Sequence, residues 1–241
     1  MCEDQKTPFN AVHDSETEET RAVKVEEDVF ARNNQLADQN RRYFAQHKLL
    51  VLNLVSSPGS GKTTLLARTL QEKRFQSAVI EGDQSTALDA DRIRATGVPV
   101  VQINTGQGCH LDAHMVETAA ADLPLAKGGM DGGVLFIENV GNLVCPAAFD
   151  LGEAAKVVLL SVTEGEDKPL KYPHMFRASS LMIVTKMDLV PYVPFNVERC
   201  IAYAREINPE IEVLKLSTTS GEGLEDWFAW LKARQTKVAA S

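Results

Sequence analysis

Up to about residue 28, apolar positions are sparse and show no period. Between residues 29 and 47 a helical period sets in: Val29, Leu36, Asn40 and Phe44 fall near one face, with Arg32, Arg41 and Arg42 among the polar positions. Beyond that, continuous apolar runs alternate with helical stretches. The runs predict strands over 49–55, 78–82, 100–103, 134–138, 157–162, 181–185 and 212–216, with helices between many of them, from 63–72 near the start to 224–233 near the end. Apolar runs without polar alternation are expected of strands covered on both faces. Alternating β and α then predicts an α/β fold with a mostly parallel, doubly wound sheet flanked by helices. The expected organisation is a disordered acidic tail over 1–28, a helix over 29–47 that packs on the domain or holds a partner, and one α/β domain over 48–241.

Composition narrows the class. Hydrophobic residues make up 44% and charged residues 24% of the 241, which is ordinary for a globular domain able to bury a core without disulfides. The net charge is −8, and about −6 of it falls in the first 28 residues, where nine acidic residues face only Lys6, Arg21 and Lys24. An acidic balance argues against a protein held to nucleic acid by phosphate contacts. No apolar run nears the ~18 residues that cross a bilayer, and no basic-then-apolar leader opens the chain. A cytoplasmic protein, with no nucleic-acid or membrane partner, is expected. Its cysteines, Cys2, Cys109, Cys145 and Cys200, form no disulfide framework, so metal binding or packing is their expected use.

Between the first strand and the first helix stands Ser56-Ser57-Pro58-Gly59-Ser60-Gly61-Lys62-Thr63. It matches the phosphate-binding loop, with Ser56 in place of the first glycine. The glycines let backbone N–H groups turn inward around phosphate oxygens, and the following helix adds the positive end of its dipole. Gly59, Ser60, Gly61, Lys62, Thr63 and Thr64 are the candidate phosphate-side residues. Lys62 would bridge the β- and γ-phosphates, and the Thr63 hydroxyl would sit on Mg²⁺. Asp83 and Glu138 each end a strand, where a carboxylate can reach Mg²⁺ or orient the attacking water; Gly141 would let backbone meet the γ-phosphate. Lys62, Asp83 and Glu138 are thus the candidate catalytic residues, with Thr63, Asp83 and Glu138 for Mg²⁺.

The base is read further along. Thr185-Lys186-Met187-Asp188 follows a late strand, where GTPases carry Asn-Lys-x-Asp. A carboxylate at Asp188 accepts from guanine N1–H and its 2-amino group, donors that adenine lacks, and a buried carboxylate left without them discriminates strongly. Thr185 stands where that motif has an asparagine that braces the loop. Ser217 and Thr218, after the next strand, fit the remaining base-side loop. The expected reaction is in-line attack of water on the γ-phosphate of GTP, giving GDP and phosphate. Because the sequence places no arginine finger, turnover is expected to be slow until a partner or second subunit completes the site.

A second constellation lies in Gly108-Cys109-His110-Leu111-Asp112-Ala113-His114, with Cys145 four residues after Gly141. Thiolate and imidazole suit Zn²⁺ or Ni²⁺. Cys109, His110 and Cys145 supply three ligands; His114 is one possible fourth, and a site shared across a two-fold dimer is another solution. Structural cysteines and a helix-starting histidine are the bland account. The location favours metal, because Cys145 follows the candidate γ-phosphate sensor and would move with it.

Taken together, 55–64, 104–114, 136–146 and 163–166 resemble the HypB family of nickel-incorporation GTPases in [NiFe]-hydrogenase maturation, over a span running from the helix at 29 to the C-terminus. The resemblance implies a dimerising P-loop NTPase of the signal-recognition/MinD (SIMIBI) class that hydrolyses GTP slowly and delivers nickel. It implies Ni²⁺ or Zn²⁺ on Cys109, His110 and Cys145, the nickel chaperone HypA as partner at the N-terminal region, and the [NiFe]-hydrogenase large subunit as indirect recipient. Only Cys2 matches the N-terminal Cys-x-x-Cys-Gly-Cys motif of some members, so no tight N-terminal nickel site is expected. A metal carrier whose nucleotide only gates dimerisation, and an accessory GTPase for another metalloenzyme, are the alternative functions.

Overall fold

A computed structural model describes residues 15–83, 88–106, 108–124 and 129–240. Seven strands form one sheet: β1 (Leu50–Ser56), β2 (Ser77–Asp83), β3 (Val100–Asn104), β4 (Val134–Glu138), β5 (Ala155–Ser161), β6 (Leu181–Thr185) and β7 (Glu212–Lys215). Their order is β3-β2-β4-β1-β5-β6-β7, and every pairing is parallel. Each predicted strand is present, and β4 and β6 keep their predicted limits.

Strand residues alternate between the two faces of a sheet, and this divides the core. From β1, Leu50, Leu52 and Leu54 pack with Leu65, Leu66 and Leu70 of α2 (Lys62–Gln71), Ile93 of α3 (Leu88–Arg94), and Trp227 and Leu231 of α9 (Leu224–Ala240). On the other face, Val51 joins Phe44 of α1 (Ser15–Gln46) and Val116 of α4 (Ala113–Asp122). Val55 packs there against Phe176 of α7 (Pro173–Ala178) and Ile201 of α8 (Val197–Ile207). Two short helices, α5 (Cys145–Ala148) and α6 (Lys168–Lys171), follow the ends of β4 and β5. Cys200 is fully buried in α8, where burial first and then Glu166 and Glu164 push its thiol up to about 12, which fits the packing role expected of it.

One boundary is corrected. Helix α1 begins at Ser15, inside the stretch expected to be a tail. Residues 15–28 are rich in Glu, a good helix former, and carry no apolar period until they join a helix that has one. The rest of the expected tail, with Cys2, lies outside the described residues. Among the described residues, no helix is long and apolar enough to cross a membrane.

Open parallel sheets bind ligands at the carboxyl ends of their strands, where the chain direction of winding switches. Here that place is the end of β1, between β4 and β5.

Candidate functional site

The loop leaving β1 turns sharply at Gly59 (φ 76°) and Gly61 (φ 93°), left-handed conformations that glycine adopts without a Cβ penalty. Ser56, in place of the motif's first glycine, is buried and donates its hydroxyl to Ser57 O at 2.9 Å. The loop walls a cavity of about 500 Å³ at the sheet's carboxyl edge. Gly59, Ser60, Gly61, Lys62, Thr63, Thr64, Asp83 and Glu138 all line it, so the phosphate-side candidates are brought together, and Lys186 joins them from β6's end.

At its floor Glu138 Oε1 accepts from Lys62 Nζ at 3.0 Å and from Thr63 Oγ1 at 2.5 Å, while the buried Oε2 has no hydrogen-bond partner. A desolvated carboxylate with an unused oxygen, beside a threonine hydroxyl, is the hard-oxygen donor set that fits Mg²⁺. With Lys62 11% and Glu138 2% exposed, the two charges are tied to each other; removing either partner leaves an uncompensated buried charge.

The end of β6 is held against the phosphate loop. The Thr185 hydroxyl donates to Ser60 O at 2.6 Å, and Lys186 donates to Gly59 O at 2.8 Å from a left-handed backbone (φ 59°). Threonine here thus ties the end of β6 to the phosphate loop. Met187 N donates to Leu216 O at 3.2 Å, which sets Asp188 beside the loop carrying the buried Ser217 and half-buried Thr218. These three do not line the phosphate cavity.

Three residues here escaped the sequence reading. The Arg92 guanidinium reaches 3.4 Å from Thr64 Oγ1 and lines the cavity. Lys168 of α6 donates to Ser57 Oγ and to Glu164. Glu81 is buried on β2, in register with Glu138 across the β2–β4 ladder, and lines the same cavity. A carboxylate inside a continuous apolar run was the available signal for Glu81; Arg92 and Lys168 sit on helix faces that give none.

Cys109, His110 and Cys145 converge as well: their ligand atoms all lie within 4.8 Å of one another. Cys109 Sγ is 2.7 Å from Cys145 Sγ and 3.5 Å from His110 Nδ1. His114 is not brought in; it is exposed and faces Glu117. The neighbouring Cys145 thiol, with burial, holds the Cys109 thiol above its usual range, and burial holds His110 below its own. The trio is therefore a soft donor set in which Cys109 has a thiol proton to release and His110 an imidazole lone pair free to donate.

The two sites share one segment. After Glu138, the buried Asn139 accepts Leu111 N on its Oδ1 at 3.1 Å and donates to Asn53 Oδ1 at 3.3 Å. A Cβ on Gly141 would stand 3.1 Å from the Pro58 side chain and 3.2 Å from its backbone nitrogen, so this glycine lets the segment lie on the phosphate loop. Asn142 donates to Cys109 O at 3.2 Å, and three residues later comes Cys145.

The model of the CobW/HypB/UreG nucleotide-binding domain matches residues 50–215. The hydrogenase maturation factor HypB of Escherichia coli K12 is 63% identical over 217 residues, 89% of this chain and 73% of that protein. The hydrogenase/urease maturation factor HypB of Helicobacter pylori 26695 is 43% identical over 210 residues, covering 87% and 86%. Among solved structures, HypB from Helicobacter pylori in complex with nickel superposes with a TM-score of 0.81 at 42% identity, covering 86% of this chain and 96% of that one. HypB from Archaeoglobus fulgidus gives 0.77 at 36%, covering 85% and 99%.

Proposed function

The chain belongs to the HypB family of hydrogenase maturation factors, and from that premise we propose that it binds GTP with Mg²⁺, hydrolyses it slowly, and uses the nucleotide state to hold or release nickel for [NiFe]-hydrogenase. The observation that carries this reading is the single segment with Glu138 at the phosphate cavity and Cys145 in the Cys/His trio, lying on the phosphate loop at Gly141. The complex of the Helicobacter pylori relative with nickel supports the same cargo here.

The cavity's residues divide the work. Backbone N–H groups from Gly59 to Thr64 cradle the phosphates. Lys62 leaves Glu138 for the β- and γ-phosphate oxygens and offsets the charge that develops there. Thr63, Asp83 and Glu138 would hold Mg²⁺, which when bound would neutralise phosphate charge. Asp83 or Glu138 orients the attacking water. Asp188 reads guanine, Lys186 lies along the base and the loop, and Ser217 and Thr218 close the base side. Cys109, His110 and Cys145 take Ni²⁺, or Zn²⁺ at rest. Three ligands leave a position for a partner's donor, which fits nucleotide-dependent homodimerisation and exchange with HypA, docked at α1, on the way to the hydrogenase large subunit. The reading is tested by comparing GTP and ATP turnover of the full chain with and without Ni²⁺. Turnover of GTP alone, altered by the metal, is expected; equal turnover of ATP, or indifference to nickel, overturns it.

Two further outcomes follow from single groups. Asp188→Asn removes the acceptor for guanine's two donors, so GTP affinity should fall about 10²-fold or more. The amide would then suit xanthine, whose ring carries a carbonyl in place of the amino group. Competition binding of GTP against xanthosine triphosphate checks this, and unchanged preference sinks the role of Asp188. For the metal, the sign of the pH effect is set by Cys109. Its raised thiol is protonated at neutral pH and must lose that proton to ligate, while His110 is already neutral. Affinity should therefore rise with pH, about tenfold per unit for each proton released, until the thiol's own range is passed. Nickel titrations between pH 6 and 8 read this slope, and a flat profile contradicts thiol ligation.

A further inference from the structure

The Cys/His trio has an aromatic wall that begins in α1. The His110 ring lies against Phe149, with centroids 4.0 Å apart and planes tilted by 37°. On Phe149 also lies Phe30 of α1, centroids 5.2 Å apart at 49°. Phe149 is the residue that closes α5, the short helix opened by Cys145. Its backbone is fixed from below: the buried Lys156 ammonium donates to Phe149 O at 3.2 Å and to Pro146 O at 2.8 Å.

Helix α1 grips both segments that carry the ligands. Asn33 accepts Ala113 N at 2.9 Å and donates to Asp150 O at 2.8 Å. Asn40 is buried and donates to Ala113 O at 2.8 Å and Leu151 O at 3.1 Å. A Cβ on Gly152 would stand 2.6 Å from Asn40 Cβ, so the 150–152 turn can approach the helix only with glycine there. One helix thus ties the chain just after His110 to the chain just after Cys145, and Phe30 and Phe149 fill the gap between it and the imidazole.

We infer that Phe149, backed by Phe30, is a positioning residue for His110, so that the metal site is completed by the N-terminal helix. An imidazole on an open loop samples several rotamers and must give up that freedom to ligate. A ring stacked on one side removes the unproductive ones beforehand, as the outer partners of metal-bound histidines do. Phe149 touches no metal and acts through His110 alone. The inference rests on the reading of Cys109, His110 and Cys145 as the nickel site.

The test uses the full chain and Ni²⁺ alone, following affinity and the thiolate-to-nickel absorption band. Phe149→Leu keeps bulk but loses the ring, and should weaken nickel about tenfold. Phe149→Tyr keeps the ring and should stay within about twofold of the parent. Phe30→Ala should weaken nickel in the same direction and supplies the answer if Phe149→Leu folds poorly. GDP affinity should be unmoved in all three. In a His110→Ala background, Phe149→Leu should add nothing, because its route is gone. Unchanged nickel affinity and spectrum in Phe149→Leu and Phe30→Ala overturn the inference, and so does an equal loss with and without His110. Cys145→Ala separates the two readings: nickel binding indifferent to that change defeats the metal site itself, whereas loss there with no effect at Phe149 defeats only the positioning role.

Discussion

Lys62→Ala should lower GTP hydrolysis about 10²- to 10³-fold and also destabilise the protein. The first effect follows from losing the cation aimed at the developing phosphate charge. The second follows from the resting structure: Glu138 is 2% exposed, and its charge is balanced by Lys62 at 3.0 Å. Taking away one partner of such a pair costs about 3–5 kcal/mol, because the other charge stays buried and unpaired. For a domain of this size that is a fall in melting temperature of about 6–20 °C. Glu138→Gln removes the stranded charge, so the double variant Lys62→Ala/Glu138→Gln should recover most of the melting temperature and none of the hydrolysis. Thermal unfolding without nucleotide and single-turnover hydrolysis read the two effects apart. A Lys62→Ala protein that melts with the parent would show that the pair does not hold the apo site together. Hydrolysis that survives in it would remove Lys62 from the chemistry.

The parts of this site that the sequence announced are those with short-range rules behind them. Strand cores 134–138 and 181–185 were legible because buried parallel strands are runs of apolar residues. The phosphate loop was legible because its glycines and Lys62 must keep fixed spacing to surround a phosphate. Cys109, His110 and Cys145 were legible as donors, but spacing left His114 and a shared site open, and only the folded chain shows His114 exposed and apart. The rest depends on distant residues meeting. Phe30 and Phe149 are ordinary aromatics until α1 packs against α4, and nothing local says that Phe149 lies on a histidine with Phe30 behind it. Asn53, Glu81 and Lys156 did leave a trace, each a polar side chain inside a strand that is buried throughout or nearly so. Such a burial is costly unless a partner waits, and partners for two of them are plain: Asn139 and Glu153 for Asn53, and main-chain carbonyls after Cys145 for Lys156. Thr185 shows the opposite limit. Judged by the motif it is a departure, yet its hydroxyl reaches Ser60 O and ties the strand end to the phosphate loop.

Cys145→Ala should weaken Ni²⁺ binding about 10²-fold or more, as expected when one of three protein donors is lost, and should abolish any dependence of that binding on nucleotide. In the parent protein, nickel affinity measured with GDP and with a non-hydrolysable GTP analogue should differ by a factor of about 5 to 150, the usual size of a coupling between two sites. The physical route is short. On the proposed reading, a γ-phosphate would draw Lys62 from Glu138 and meet backbone where Gly141 lies on Pro58. Movement there would pull on Asn139 and Asn142, whose side chains hold Leu111 N and Cys109 O, and would shift Cys145 relative to Cys109. Because the two ligands sit on separate segments that meet only at the metal site, a small loop shift suffices to change the metal's geometry. Linkage requires the effect to be mutual: bound nickel must change affinity for the GTP analogue by the same factor. Asn142→Ala, which cuts one of the two ties and leaves all three ligands, should reduce that factor while nickel still binds. Equal nickel affinities in the two nucleotide states of the parent would separate the sites energetically, however tightly each holds its ligand, and delivery would then need a trigger other than GTP.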